Sequence, residues 1–523
     1  MRSRVWVCAA AAAALLTALL TALLLALAPG VAGASPSIQP DVNGSVPGAR
    51  LSPSGVRAAL RSVARRLPPG GAAQDEQWIT VGSLTFVIQP FSVGILPPGQ
   101  RTLYFCPDVP TPLIDTGVHD AAGVRMVLID GTLWNHVSAQ ARYGLDNVNA
   151  YRASDSAADR AVYLARAEVQ AQRLIDRSVA IGDAWFHPYS YVWGSMQPPW
   201  YSALGQGYAL SLFIRLYELT GDASYKTAAD ATFASFLAAG PTETPWVSDV
   251  DPSGHLWLQE YPGSASECVF NGDMVAALGL YDYYRVTADP RALALFRGAA
   301  TTVVDYTGSY RRAGWRSLYC LGDSAHTANP GYHEVVVQQL LAFFAITADP
   351  RFARWADTLE NDYPRSAVSG TATVAAGKHT VLHYAGTGRI VGRRAISSQA
   401  TLHLAVSARE RIHGQPGYWL LIAGGPWRGY WIEEQAPKVY VAGQLVTLPY
   451  APSRSLTLPG GKIYAFHHYS VDGAVTATLH FSPTAAATMQ VNARAVVNGR
   501  AQVRASSGRF SGYWVRLKGC SLT

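Results

Sequence analysis

"YYRVTADPRALALFRGAATTVV", residues 283–304, ends one amphipathic pattern, turns at Thr-Ala-Asp-Pro and starts another. The same plan stands in "FFAITADPRFARWADTL" (343–359), in "YELTGDASYKTAADATFASFL" (217–237) and, more loosely, in "YRASDSAADRAVYLARAEV" (151–169). The turn aspartates are Asp155, Asp222, Asp289 and Asp349, a period of one helical hairpin plus a loop. An Asp before the first helical residue accepts a free backbone N–H, and Pro at the next position loses no bond there. Pro290 and Pro350 fit that position, so these aspartates read as caps and not as catalysts. Four hairpins over 133–362 predict an α/α toroid, its inner helices and long loops around a central cleft. A straight helical solenoid is the competing arrangement.

β structure flanks the helices, so the predicted class is mainly α with β. Residues 76–132 hold "WITVGSLTFVIQPF" and "VRMVLIDG", short β-prone runs broken by Gly and Pro. After "LENDYPRSAVSG" the chain turns Thr/Val/Gly-rich with period-two alternation. "GRI…ATLHL…WRGYWIEE" (388–434) returns as "GKI…ATLHF…FSGYWVRL" (461–517). Two related β modules, 366–452 and 453–523, account for this, and they resemble SH3-like modules of exported bacterial proteins. Their aromatic pairs, Tyr430-Trp431 and Tyr513-Trp514, suit core packing or a sugar ligand.

Composition bounds the rest. At 523 residues, 49% hydrophobic, with 14 Trp and 27 Tyr, the chain has the means for large cores and is not a disordered sequence. Met1-Arg2-Ser3-Arg4, the Ala/Leu run to Ala28 and Ala32-Gly33-Ala34 read as a signal peptide over 1–34, with an uncleaved membrane anchor as the alternative. Residues 35–75 read as a linker with one short basic helix ("RAALRSVARR", 57–66). Export places Cys106, Cys268, Cys320 and Cys520 in an oxidising compartment and predicts two disulfides, with three pairings open. No cysteine pair has metal-ligand spacing, and neither a metal nor another cofactor is expected. The net charge of +7 suits an anionic polysaccharide or the cell envelope. Nucleic acid is not the expected partner, since no basic stripe is present.

The residues that stand out lie between the repeats: "PPWYSALGQGYALSL" (198–212), "LQEYP…FNGDMVAALGLYDYY" (258–284), "RSLYCLG" (316–322) and "NPGYHEVVVQQL" (329–340). Gly205-x-Gly207 is no nucleotide loop, because no strand precedes it and no third glycine follows. In this order the segments resemble the C-terminal catalytic domain of D-glucuronyl C5-epimerases over about 175–362. "WYSALGQG" and "EYP…FNGDM…GLYD" are the most specific parts. The resemblance implies an α/α toroid, a homodimer, and an acid/base pair of Glu260 and Tyr332 on opposite sides of the sugar. It implies support from Tyr261 and Tyr319, a cleft lined by Tyr201 and Gln206, and substrate contacts from Asn271 and His333. The family's carboxylate-holding Arg after the third-segment Tyr is missing here, where Cys320-Leu321-Gly322 follow Tyr319. Arg316 is the nearby candidate for that task. As bases, His187 and His333 are outweighed by structural roles.

Epimerisation at C5 takes a proton from one face of the sugar and returns one to the other, which calls for two groups. The expected activity is therefore inversion of glucuronate C5 in an anionic uronate polysaccharide. A lyase or hydrolase on the same toroid is the first alternative. A non-catalytic envelope protein that binds cell-wall glycan through its β modules is the second.

Overall fold

The computed structural model describes residues 76–98 and 111–523, apart from 264–266, 324–325, 364–369, 386–388, 411, 413–416, 436–437, 443–446, 470–474 and 498–499. The signal segment, the linker and Cys106 lie outside the described residues.

Eight helices form the four hairpins. They are α1 (Val137–Ala153), α2 (Ala157–Asp176), α3 (Ala203–Thr220), α4 (Ala223–Ala234), α5 (Phe270–Thr287), α6 (Pro290–Tyr310), α7 (Pro330–Thr347) and α8 (Pro350–Asp362). Odd-numbered helices pack on one another in succession as an inner row, and each even-numbered helix lies outside its partner. This is the inner-outer alternation of an α/α toroid, over four hairpins. Asp222, Asp289 and Asp349 cap α4, α6 and α8, each accepting a backbone N–H at 2.8–2.9 Å. In the first hairpin the cap is Ser156, one residue after the expected Asp155. Inner helices α3 and α5 are apolar almost all round, as helices buried on both sides must be.

Small residues set how closely those helices approach. A Cβ on Gly207 would stand 2.6 Å from the Ala276 Cα, and one on Gly279 would stand 2.5 Å from the Gly207 carbonyl. The second glycine of the Gly-Gln-Gly run thus serves the α3–α5 contact. Beside it, Arg215 Nε meets Asp282 Oδ2 at 2.7 Å, both side chains almost wholly buried.

The ends of the inner helices also repeat. Gly221 after α3 has φ 75°, but the matching positions after α5 and α7 are Ala288 (φ 54°) and Ala348 (φ 55°). A side chain in this left-handed region costs about 1–2 kcal/mol. Ala288→Gly and Ala348→Gly are each expected to raise stability by about 0.5–1 kcal/mol, after the extra chain entropy of glycine. Urea unfolding of the two variants measures this.

The N-terminal β-rich segment is a strap. Its hairpin pairs Gln77–Val81 with Leu84–Ile88. Beyond it, Gln89 N donates to Thr301 Oγ1 on α6, Gly94 N to the Ile346 carbonyl on α7, and Leu96 N to the Tyr281 hydroxyl on α5. Phe91 meets Phe352 of α8 at 5.6 Å. A second hairpin, Met126–Ile129 with Thr132–Asn135, leads into α1. No described helix is long and apolar enough to cross a membrane.

The C-terminal part is two seven-stranded antiparallel sheets with one strand order, read as third-second-sixth-fifth-fourth-first-seventh in each. Seven strands exceed what a small SH3-like module needs. Several strands have only three or four residues, too few for a legible alternation. The first sheet spans Gly370–Ala442 and the second Thr447–Leu522, so residues 447–452, expected in the first module, belong to a strand of the second sheet. The topology also corrects the repeat. "WRGYWIEE" and "FSGYWVRL" both run into the sixth strand of their sheets. "ATLHL" runs into the fourth strand of the first sheet, while "ATLHF" belongs to the third strand of the second. Both sheets reach α8. Tyr363, just past its end, donates to Glu410 of the first, and Asp357 takes Arg454, Arg494 and Tyr450 of the second.

Candidate active site

Two connections and the first turn of a helix converge on one carboxylate. Strand Leu256–Leu258 runs into Gln259, whose carbonyl accepts the Ala203 N–H that begins α3. The next residue, Glu260, turns inward and is 7% exposed. The segment before α7 pairs Cys320 with Val269 and gives the Tyr319 carbonyl to the Phe270 N–H. Tyr332 stands in the first turn of α7, its N–H capped by Asn329 Oδ1 at 2.9 Å. Each loop therefore ends as a helix begins, and each delivers one polar side chain to the same place.

Tyr319 is the link. Its hydroxyl donates to Glu260 Oε1 at 3.2 Å and lies 3.5 Å from the Tyr261 hydroxyl, and its ring meets Tyr332 edge-on at 5.5 Å. Glu260 Oε2 is buried and has no hydrogen-bond partner. Gly272 leaves room for it, because a Cβ there would stand 2.3 Å from that oxygen. An unsatisfied buried acceptor is costly, and such atoms concentrate where a ligand supplies the missing contact.

The electrostatics follow from burial. Desolvation pushes Glu260 up to about 7, against hydrogen bonds from Tyr261 and Tyr319 that favour the ionised form. Burial, then the Glu260 charge, pushes the Tyr332 phenol up to about 12, and Arg142 pulls it back. Tyr261 and Tyr319 are held well above the usual phenol range, first by burial and then by Glu260. Near neutral pH one group is poised to lose its proton while three phenols keep theirs.

The four expected catalytic residues are thus neighbours; the expected binding residues divide. Tyr201 packs on Phe186 at 5.2 Å, next in sequence to Trp200, whose ring lies 6.0 Å from Tyr261. Asn271 sits buried in the first turn of α5, one residue before Gly272. Gln206 does not line a cleft. It is fully buried, its amide donates to the Trp185 carbonyl and Ser235 Oγ, and its oxygen accepts from His187 N. His333 is equally spent, bonded to Ser317 and the Leu359 carbonyl, and burial holds it down at about 4. His187 is structural in the same way. Arg316 lies over the Trp315 and Tyr363 rings at 5.0 and 5.8 Å, on the His333 side, and not at the Glu260 cluster.

Two residues of the cluster escaped the sequence reading. Arg142, exposed on α1, is the cation acting on both Tyr332 and the buried Tyr208 of α3. Tyr208 also feels Glu260 and Tyr332. Tyr208 stands within the 198–212 segment without being singled out there, whereas Arg142 carries no motif and α1 lies more than a hundred residues from Glu260, so only folding brings it in. The disulfide expectation fails for the described cysteines, because none joins Cys268, Cys320 and Cys520 to one another. Burial pushes the Cys320 thiol up to about 12 and Cys268 well above its ordinary value, which makes both poor nucleophiles. Among the described residues no three His, Cys, Asp or Glu converge as metal ligands.

Helical hairpins carrying a buried carboxylate among phenols define a candidate acid–base site on an α-hairpin scaffold. Residues 183–361 match the family model described as D-glucuronyl C5-epimerase C-terminus. The match takes in α3 to α8 and every expected catalytic residue, and leaves α1 outside. An uncharacterized protein of Methanocaldococcus jannaschii is 23% identical over 174 residues, 33% of this chain and 55% of the relative. The chain thus spans about half the length of that relative. An unsaturated glucuronyl hydrolase from Streptococcus agalactiae shares 18% identity at a TM-score of 0.31, covering 43% of this chain and 57% of that one. A GH76 α-mannanase from Bacteroides thetaiotaomicron shares 12% at 0.32, covering 53% and 66%. Likenesses this loose say nothing about chemistry.

Proposed function

We propose that the protein is an exported epimerase that inverts C5 of glucuronate residues in an anionic polysaccharide. The observation that carries this is the Glu260 carboxylate, with one oxygen held by Tyr319 and the other buried and unbonded. Ionised Glu260 takes the C5 proton through Oε2, and the electron pair of the broken C–H bond moves into the substrate carboxylate as an enolate. Tyr332, which keeps its proton near neutral pH, delivers it to the other face of C5. A new C–H bond forms and the electron pair returns from the enolate. The tyrosinate is then reprotonated from solvent, and Glu260 releases its proton there. Tyr261 and Tyr319 donate hydrogen bonds to charge on Glu260 and on the sugar carboxylate.

The enolate needs a cation or strong donors at its carboxylate, and the family's Arg is absent. Arg142 is the candidate for that place, because its charge already reaches Tyr332. Arg142→Ala is expected to lower kcat/KM by about 10²–10³. Arg316→Ala should leave it within a few-fold. Parallel steady-state rates for the two variants test the assignment.

Export is supported by the basic start and Ala/Leu run of residues 1–28. The deciding experiment is proton NMR of the mature protein in D2O with heparosan and other glucuronate polymers. Deuterium entering at C5 with new iduronate signals is the expected result. C5 exchange with an unsaturated product would establish the lyase alternative instead. No exchange on any polymer, with binding retained, would overturn catalysis and leave a glycan-binding envelope protein.

A further inference from the structure

The positive charge of this protein is not where the proposed reaction takes place. Residues 76–365, which contain the Glu260 cluster, carry 19 Lys and Arg against 29 Asp and Glu. Residues 366–523, the two sheets, carry 16 against 4. A polyanion approaching the helical part alone would meet net repulsion, so attraction has to come from the sheets.

Within the sheets the charge is unevenly placed. In the second one, cross-strand register aligns Arg504, Trp514, His467 and Thr478 across four neighbouring strands. Two residues along, Gln502 faces Arg516 and Ala465 faces His480. Arg500 continues the Gln502–Arg504 alternation. Opposed residues share a face, and residues two apart on a strand return to it. All of these therefore occupy one side of the sheet. The other side holds the core residues Val503, Val515 and Phe466. Arg500, Arg516 and His480 are exposed, and Arg504 lies 5.7 Å over the Trp514 ring with Nε on Asn492. His467 bonds Thr478, and Gln502 bonds Tyr469, so hydroxyl and amide groups stand among the cations. Across residues 447–523 the sequence has one acidic residue, Asp472.

The first sheet is an internal control, with the same strand order and a different face. Aligned on Trp431 and Trp514, it has Leu421 where the second has Arg504, Leu382 for His467, Glu433 for Arg516 and Ala395 for His480, with one exposed cation, Arg393, in the place of Thr478. There Leu382 and Trp419 form a small core with Ile412. Both copies bury a small cluster on this face, Ala493, Ala495, Val497 and Trp514 in the second, but the second sets Arg504 and Arg516 where the first has Leu421 and Glu433.

We propose that the Arg500–Arg504–Arg516–His467–His480 face of the second sheet binds the anionic polysaccharide and tethers it beside the helical domain. That the polymer is a uronate rests on the epimerase reading; the cationic face stands without it. Arg500 and Arg504 lie on one strand and Arg516 on the next, and neighbouring strands lie about 4.8 Å apart, so the three guanidinium groups form one compact patch. Clustered charge of that kind suits the carboxylates of a glycan.

The test uses the full mature chain with heparosan immobilised, at low and at raised salt. The exposed pair Arg500→Gln with Arg516→Gln is expected to weaken binding roughly tenfold and flatten its salt dependence. C5 exchange on a short oligosaccharide should stay unchanged. Arg504→Gln should act likewise, with a melting curve to detect any loss of its Asn492 contact. Unchanged heparosan affinity in the exposed double variant would overturn the proposal. Double-stranded DNA or anionic vesicles bound as tightly as heparosan, and lost equally in the variants, would also overturn it, since the face would then be a general cation patch. Retained binding with no C5 exchange in the wild type would overturn the epimerase reading alone.

Discussion

Glu260→Gln is expected to cut C5 exchange by about 10²–10⁴ and to raise the melting temperature above pH 7. Glutamine keeps the shape and accepts from Tyr319, but it cannot take a proton. The stability effect follows from linkage. Burial holds the folded-state carboxyl at about 7, above its ordinary value of 4.5, so the folded chain binds the proton more tightly than the unfolded chain. Stability from this group is complete below about 4.5 and is lost as pH rises through about 7. Glutamine removes that loss, so variant and wild type should melt alike in acid and diverge above neutrality. The wild-type kcat/KM should rise with pH through about 7, as ionised Glu260 becomes available. Melting temperature that fell on substitution at pH 8 would mean that Glu260 holds the fold together and is not a strained catalyst.

Asp357→Ala should loosen the second sheet from the helices. Arg454 is wholly buried and gives its guanidinium to Asp357, which also accepts from Arg494 Nη1 at 3.2 Å and from the Tyr450 hydroxyl at 2.8 Å. Removing one carboxylate leaves buried cations without their counter-charge, a loss of about 3–5 kcal/mol. Hydrogen exchange should show the rise in opening along strand Thr447–Leu458 and much less along α3 and α5. Replacing both partners, Asp357→Leu with Arg454→Met, should cost much less, because no charge is then stranded. Equal destabilisation in the single and double variants would mean that packing, not charge pairing, holds the sheet there.

The two cases differ in how far the sequence announced them. Glu260, Tyr261 and Tyr319 lie in loops that break the hairpin repeat, Tyr332 opens the helix after one of them, and a break in a repeat is visible along the chain. Their grouping was legible through the family's motif order. Gln206 and His333 lie in the same motifs, and nothing in a motif tells a residue that touches substrate from one that fixes a neighbouring helix. Burial and the use of both amide groups tell them apart. Arg142, Asp357 and the cationic face have no local signature.

The sequence by itself determined the four hairpins, three of their four caps, the duplicated β structure and the segments that bring Glu260, Tyr261, Tyr319 and Tyr332. All of these rest on interactions within a few residues, or on a period that repeats along the chain. Only the tertiary structure decided that the charge of Arg142 reaches Tyr332, that Arg316 lies over the Trp315 and Tyr363 rings, and that the 77–98 segment straps the helices. It also decided that the second sheet sets Arg504 and Arg516 where its twin has Leu421 and Glu433. Those outcomes depend on contacts across scores of residues, where close packing and strand register bring together side chains that no local pattern relates.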